Sequence, residues 1–451
     1  MSAAAPAASQ STEKLDFKRV LPIFIIVLVD LLGLTVIIPL LPLYAASFGA
    51  DPVTIGLLGS AYPMMQFLAA PVIGGLSDRF GRKPVLVVSQ IGTFIGFIIL
   101  GFANALPIVF LSRIVDGISG GNIVTAQAAM ADSTTERTRT QGLGLIGAAF
   151  GLGFTLGPAI AGIALAVSGN DYRVPAFIAA GFSLLSILLT VFWFKETLPA
   201  EKRGQKPAGQ KRSYLGNITR ALANPAVSIL LVVMFLQQLV FNGYENLFSL
   251  FSLSRLGLNA AGNALVFVYI GIVLVLVQGK YIGPLSRKYG ERKLIFWGLG
   301  LVAVGLVLTA ITPAVTVPWY SAAEIQTELT NSTSAIQVPL PTNEASGWIG
   351  LLWILVASTP AAIGAGLLSP SINSLITRRV PSSEIGVSLG ASSSLVSLAN
   401  AVTPLIGGVL FQMLGTTAPF LIGGIALFGV LGLAASRIKP APTTTAAPAT
   451  K

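Results

Sequence analysis

Twelve predominantly apolar stretches recur along this chain, and about 20 such residues in a helix are what it takes to cross the hydrocarbon core of a bilayer. They fall near 21–46, 54–77, 84–104, 107–131, 141–167, 174–194, 226–250, 261–282, 294–313, 347–370, 385–409 and 417–436. Lipid offers the backbone no hydrogen-bond partners, so each stretch has to satisfy itself as a helix. Charged residues make up only 10% of the chain, where soluble domains run near a quarter. That is too few to build a water-facing surface, and the expected fold class is an all-α membrane protein with twelve transmembrane helices. The first stretch is too long for a signal-peptide core and lacks a cleavage pattern after it, so it reads as a retained span. The 141–167 and 385–409 segments are rich in Gly, Ser and Ala and are expected at helix interfaces.

The chain also repeats itself. Gly74-Gly75-Leu76-Ser77-Asp78-Arg79-Phe80-Gly81-Arg82-Lys83 returns, degraded, 209 residues later as Gly283-Pro284-Leu285-Ser286-Arg287-Lys288-Tyr289-Gly290-Glu291-Arg292. Gly157-Pro158 has a rough counterpart in Thr403-Pro404, now 246 residues away. The offset grows by about the length of the long loop at 314–346, so the spans group into two related six-helix bundles, as in carriers with parallel repeats. The expected organisation is a tail at 1–20, a bundle at 21–195, a linker at 196–225, a bundle at 226–437 interrupted by the 314–346 loop, and a disordered tail at 438–451.

Sequence charge orients this stack. With the N-terminus inside, 25 of the 28 lysines and arginines fall on the inner side, which leaves Arg173 and Arg255 outside and Arg113 within a helix. This follows the positive-inside rule and predicts a multi-pass protein of the cell (inner) membrane with both termini cytoplasmic. The net charge of +11 is spread over many short loops, so no nucleic-acid partner is expected, whereas the seven basic residues between Lys195 and Asn224 suit membrane lipids. With no cysteine and no histidine the chain offers no disulfide, no histidine metal site and no histidine proton relay. No metal, no other cofactor and no enzymatic activity are expected. Asn331-Ser332-Thr333 is a glycosylation triplet on the outer side, of a kind that arises often by chance.

An ionisable residue deep in a span marks function by default. Asp30 lies well inside the first span, and Arg113 and Asp116 share one face of the fourth. They read as a proton-exchange site in which the guanidinium tunes two carboxylates, with a static ion-pair lock between the first and fourth helices as the alternative. In the seventh span Gln238, Asn242 and Glu245 recur on one face with Phe241 beside them. Tyr62 and Gln66 face together in the second span, and Gln127 lies toward the inner side of the fourth. These seven are the candidate substrate-binding residues, with interhelical hydrogen bonding as their plain alternative. Asp78, Arg79, Gly81, Arg82 and Lys83 are read as parts of an inner gate on a short cytoplasmic turn. Gly153, Gly157, Pro158 and Gly162 are read as permitting close packing and a bend at the interface between halves.

These motifs resemble the major facilitator superfamily over roughly residues 20–437, and within it the twelve-helix drug:proton antiporters, the tetracycline efflux proteins above all. The 74–83 segment matches the superfamily's G-x-x-x-D-R-x-G-R-[RK] signature in full. The first span, from Asp30 through Gly33 and Pro39 to Pro42, is similar to D-x-x-G-x-x-x-x-x-P-x-x-P. Arg113 and Gly117 match an R-x-x-x-G element, and 153–162 resembles the antiporter signature G-x-x-x-G-P-x-x-G-G, with Ala161 in place of one glycine. The resemblance implies the major facilitator fold and a monomeric, proton-coupled exporter of amphipathic or lipophilic small molecules that works by alternating access. It is incomplete at Gly96, where tetracycline exporters usually hold an aspartate, and in helices eight and nine, which lack mid-membrane charge; tetracycline itself is not implied. The alternatives are a proton-coupled transporter of a metabolite (a sugar, organic acid or lipid-like compound) or a non-transporting membrane sensor.

Overall fold

The computed structural model describes residues 15–135, 138–204, 214–329, 338–341, 345–381 and 385–438. Among them, 12 helical spans are long and apolar enough to cross a membrane. In chain order the helices are α1 (Phe17–Ile37), α2 (Leu41–Ala46), α3 (Pro52–Phe80), α4 (Arg82–Gly101), α5 (Leu106–Ser119), α6 (Asn122–Asp132), α7 (Arg139–Ser168), α8 (Arg173–Phe192), α9 (Tyr214–Ala223) and α10 (Ser228–Leu256). They continue as α11 (Ala260–Leu276), α12 (Ile282–Tyr289), α13 (Glu291–Ala310), α14 (Ala322–Leu329), α15 (Ile349–Thr377), α16 (Ile385–Leu414) and α17 (Ala418–Arg437). The fourth span is α5 plus α6, and the eighth is α11 and α12 joined by a π-helical turn, Val277–Tyr281. Each of the twelve expected windows holds a spanning helix. The Asn331 triplet, all but the last six residues of the 1–20 tail, and 439–451 lie outside the described residues.

Local chemistry sets the ends of these helices. The Asp51 side chain accepts from Thr54 N–H at 2.7 Å and Pro52 opens α3, a side-chain cap followed by a residue that needs no helical N–H. Gly169 and Gly257 close α7 and α10 in the left-handed region at φ +67° and +70°. The expected 21–46 span divides in two, because α1 stops at Ile37 and a separate short helix, α2, begins at Leu41 with Pro42 in its first turn. The expected turn at 78–83 shrinks to one residue: Asp78 and Arg79 belong to the last turn of α3, Arg82 and Lys83 to the first turn of α4, and only Gly81 intervenes at φ +105°.

Call the face holding the start of α1 proximal and the other distal. Spans alternate in direction, so both copies of the repeated motif come to the proximal face. In the first half α1 packs on α7 and α8, α3 on α5, and α4 on α5 and α8. In the second, α13 packs on α15 and α17, and α10 on α16 and α17. The two groups meet along α3–α16 and α7–α11, with α2 touching α10 and α14. At the α3–α16 seam a Cβ on Gly56 would run into the Pro404 carbonyl, one on Gly408 into the Pro52 carbonyl, and one on Gly59 would lie 2.9 Å from Pro404 Cβ. One turn of sequence away, Val53 N–H donates to Gln412 Oε1 at 3.2 Å, and Ser249 Oγ donates to the Pro39 carbonyl at 2.8 Å. All of these contacts lie in the distal part of the seam. The long loop is partly ordered there as well: α14 rests near α2, Tyr320 OH donates to the Pro341 carbonyl at 3.1 Å, and Thr316 bridges to Ser346.

Large apolar side chains such as Val88, Phe192, Leu265 and Ile425 stand outward and mostly exposed. A water-soluble protein rarely shows so much apolar surface; in a bilayer it is the lipid-facing wall. Because the chain has no cysteine, a single introduced thiol reports cleanly on the distal seam. Gly56→Val should overpack it, at a cost of about 1–3 kcal/mol. Alkylation of Ser249→Cys by a membrane-impermeant maleimide should then rise about tenfold over the same thiol with Gly56 intact. Equal rates would show that the seam does not close the distal face.

Candidate functional site

The deep charges of the first half converge. Arg113 and Asp116, one turn apart on α5, are both buried and pair at 3.1 Å, while the Arg113 guanidinium lies 5.4 Å from the centre of the Phe97 ring. Asp30 on α1 does not join that pair. Its Oδ2 accepts instead from Asn122 Nδ2 at 2.7 Å, which ties α1 to the first turn of α6, just past the Gly120-Gly121 break. Asp30 Oδ1 and Arg113 Nη2 are buried with no hydrogen-bond partner among the described residues. Asp116 lies within electrostatic reach of Asp30, and all three charges act on the Tyr62 hydroxyl. The cluster thus holds two carboxylates and one guanidinium in a dry setting, with one acceptor and one donor still free. The alternative of an Arg113 lock between α1 and the fourth span does not fit, because the guanidinium pairs along its own helix.

Gly96 on α4 explains why the carboxylate sits where it does. A Cβ at residue 96 would lie 2.9 Å from Asp116 Cβ and 3.2 Å from the Ser112 carbonyl. An aspartate there would need the space that Asp116 fills, so this chain supplies the acid from α5.

The candidate substrate-binding residues divide into engaged and free. Gln66 Nε2 donates to Tyr62 OH at 3.1 Å and to the Gly120 carbonyl at 2.8 Å, a brace between α3 and the α5–α6 break. Gln238 Nε2 donates to Asn400 Oδ1 at 3.0 Å, and Asn246 Nδ2 donates to Asn242 Oδ1 at 3.1 Å. The Phe241 ring lies 6.0 Å from that of Tyr244. Gln127, half-buried on α6, and Glu245, half-buried near the middle of α10, make no hydrogen bond or ion pair among the described residues. Along α7, Gly153 and Gly157 face Thr35 of α1 within the same half, while Gly162 meets Ala264 of α11 at 3.0 Å for an added Cβ. The cross-half seam also carries Thr155, whose Oγ1 donates to the Gly271 carbonyl at 3.1 Å.

At the proximal face the first motif is a closed network. Arg82 joins Asp78 at 2.6 Å and Asp132, at the end of α6, at 2.9 Å, and it donates to Ser77 Oγ at 2.8 Å. The Glu196 carboxylate, just past α8, accepts from the backbone N–H of Arg82 at 2.9 Å and of Lys83 at 3.1 Å, and so caps α4 from a distance. Burial pushes this carboxyl up, but the N–H groups of Leu198, Arg82 and Lys83 and the charge of Arg203 outweigh it and hold the pKa below the ordinary value. Lys83 Nζ donates to the Val191 carbonyl at 2.8 Å. Arg79 lies 5.1 Å from the Phe80 ring.

The second motif repeats the network with its charges reversed. Glu291 opens α13 and meets Arg378, just past α15, at 2.7 Å; Ser286 Oγ donates to Glu291 Oε1 at 3.1 Å. Ser286 and Glu291 stand 209 residues after Ser77 and Arg82, and Arg378 stands 246 after Asp132, the same two offsets that relate the halves. Sequence reading missed Asn122, Glu196, Asp132 and this pair. The last was within reach: a search at the repeat offsets for opposite rather than identical charges finds it.

Residues 23–328 and 329–451 match the family model described as Major Facilitator Superfamily, and the chain belongs to that superfamily. It is similar to "Multidrug resistance protein 2" of Bacillus subtilis (strain 168), at 28% identity over 91% of this chain and 94% of that protein. It is similar to "Tetracycline resistance protein, class D" of Salmonella ordonez, at 29% identity over 93% and 96%. Among solved structures, the human organic anion transporter MFSD10 (TETRAN) aligns with a TM-score of 0.62 at 24% identity, over 94% of this chain and all of that one. That likeness concerns the fold. The chain is a secondary active carrier of the twelve-helix type, not an enzyme.

The reversed pair makes a direct prediction. Glu291→Arg should destabilise the protein by about 1–3 kcal/mol, since it leaves a like-charge contact in place of an ion pair that is buried on one side. The double variant Glu291→Arg/Arg378→Glu, which restores the order found in the first half, should recover at least half of the loss in thermal unfolding. No recovery would show that the second half depends on this charge order.

Proposed function

We propose that the protein is a proton-coupled exporter of amphipathic or lipophilic small molecules, acting as a monomer by alternating access. In this reading the proximal face is cytoplasmic, which the gathering of lysine and arginine on that face supports. The observation that carries it is the cluster of Asp30, Asn122, Arg113 and Asp116, which gathers titratable groups inside the membrane and leaves Asp30 Oδ1 without a partner. A carboxylate there costs several kcal/mol unless paired or wet, so a small change in its surroundings changes its hold on a proton. The kinship to multidrug and tetracycline resistance proteins supports the export direction, as does the 153–162 segment that resembles the antiporter signature.

The cycle follows from this arrangement. With the distal seam closed, the carrier takes substrate from the cytoplasmic side and gives up its proton there. The deprotonated, loaded carrier rocks open distally, releases substrate and binds a proton from outside. Protonation of the first-half carboxylates then returns it to the proximal-open state. The α3–α16 register supports a proximal gate at the first motif: positions 56 and 404, like 52 and 408, sit opposite each other across the seam. Continued toward the proximal face, the same antiparallel register carries Asp78 toward Arg378 and Arg379, just past α15. On closure Asp78 exchanges its exposed contact with Arg82 for that basic edge and for the N-terminus of α16.

Asp30→Asn tests the reading. In proteoliposomes with an imposed pH gradient, it should lower gradient-driven flux of a fluorescent amphipathic dye about 100-fold or more, the loss expected when a positioned acid–base group is removed. Folding of the variant and binding of the dye to it should persist. Gradient-driven flux at the wild-type rate would contradict the role given to Asp30.

A further inference from the structure

The link between α13 and α15, residues 311–348, has no match in the first half, where residues 102–105 suffice to join α4 to α5. Loops of that length in a compact bundle are uncommon and, where ordered, as a rule functional. The described parts of this one are rooted in the second half. Val317 N–H donates to the Leu256 carbonyl at 2.9 Å, and the Tyr320 ring fills the space where a Cβ on Gly257 would stand, so the loop sits on the distal end of α10. Gly347 N–H donates to the Thr316 carbonyl at 2.8 Å, and the Trp319 and Trp348 rings meet edge-on at 5.5 Å. Those contacts close the base of the loop on the start of α15.

From that base α14 is carried across the boundary between halves. It rests near α2, and α2 is fixed to the first half. The Tyr44 ring stacks on that of Tyr172 at 5.3 Å, and Tyr44 OH shares its proton between the Leu100 and Ala103 carbonyls, each at 3.3 Å. Ile325 of α14 is buried in the same apolar cluster as Leu43, Tyr44 and Ala45 of α2. The distal side is therefore held by the α3–α16 packing, by Ser249 on the Pro39 carbonyl and by α14 on α2. Only the third is made by a segment that the second half alone possesses. Toward the proximal face the other seam stands open. A Cβ on Gly151 of α7 would lie 3.3 Å from Gln278, whereas Gly144 and Gly147, on the same face and nearer the proximal end, meet nothing within 4 Å.

We propose that α14 is a latch on the distal exit. The loop stays with the second half and α2 with the first, so every distal opening has to part them. A contact made in one state and lost in the other shifts the balance between states by its full strength. The latch therefore favours the distal-closed, proximal-open form and makes distal opening rarer than the seams alone would. This rests on the alternating-access part of the exporter reading and adds the element that biases it. The bias is one-sided because the first half has no such arm to lay across the second.

The test reads both faces of the cysteine-free chain. Ser249→Cys reports distal opening, and Gly147→Cys, on the open part of α7, reports proximal opening. Alkylation of each thiol by a membrane-impermeant maleimide is followed in purified full-length protein from about pH 5 to about pH 8, so that both states are sampled. The loop is native, carries Ile325→Ser, or has residues 322–329 replaced by a Gly-Ser stretch of equal length. Either change should raise the distal rate at least about threefold at the acid end and lower the proximal rate at least about threefold at the alkaline end, because one equilibrium governs both. Ile325→Ser keeps the rest of α14, so the proposal stays testable if the replaced loop misfolds. A distal rise with the proximal rate unchanged at every pH would mean a cover that only shields the thiol, and would overturn the latch. Unchanged rates at both faces would overturn it too. Native-loop rates that ignore pH would sink the proton coupling of the exporter reading, while opposite shifts at the two faces in the variants would still uphold the latch.

Discussion

A charge held in lipid is the constraint on which this structure turns. Moving a carboxylate to mid-membrane costs about 2.5–3.5 kcal/mol even on insertion scales, so a chain keeps one there only with a partner, with water or for a task. Three solutions appear side by side. Among the described residues, Asp116 is given Arg113, Asp30 is given the Asn122 amide on one oxygen and nothing on the other, and Glu245 is given no side-chain partner. The gradation orders the groups by how fully each charge is met within the described chain. It also explains why close packing matters so much around them. Gly96 has to be bare for Asp116 to fit, and a Cβ on Gly157 would strike Thr35, one turn along α1 from Asp30.

At the proximal face the constraint is different, because water is available and helix ends need anchoring. The first half answers with Arg82 between Asp78 and Asp132, and with Glu196 on the first N–H groups of α4. The second half answers with Glu291 on Arg378. What the duplication has kept is complementarity across one turn–helix junction, while the order of charges is free to invert. The two halves share this architecture and differ in deep chemistry. The first gathers Asp30, Arg113 and Asp116, and the second holds Glu245, which has no hydrogen-bond or ion-pair partner among the described residues.

The spans were legible in the sequence because hydropathy over about 20 residues reports directly on the lipid that surrounds them. The breaks inside spans were less so. The Pro39–Pro42 segment was covered by one long apolar window, and the Gly120-Gly121 break in the fourth span has the same composition as unbroken helix. The convergence of Arg113 with Asp116 followed from spacing on one helix. The partnership of Asp30 with Asn122 did not, since it depends on how α1 and α6 cross. Glu196 was invisible for a similar reason: it sits in a linker, and its role exists only because the end of α8 lies beside the start of α4. The 78–83 motif was legible, but as a turn; at Gly81, with its positive φ, one residue suffices to reverse the chain, which leaves the flanking charges on helices.

The central claim is that a proton on the first-half carboxylates selects which face is open. Spin labels at repeat-related positions measure this most directly: Thr135→Cys with Pro381→Cys across the proximal mouth, and Phe102→Cys with Ile311→Cys across the distal one. Distances from pulsed electron resonance should report proximal-open and distal-closed near about pH 5, and the proximal pair should shorten while the distal pair lengthens toward about pH 8. Asp30→Asn should hold the acid distances at both values. Distances that ignore pH in the wild type, or that follow it unchanged in Asp30→Asn, would contradict the account.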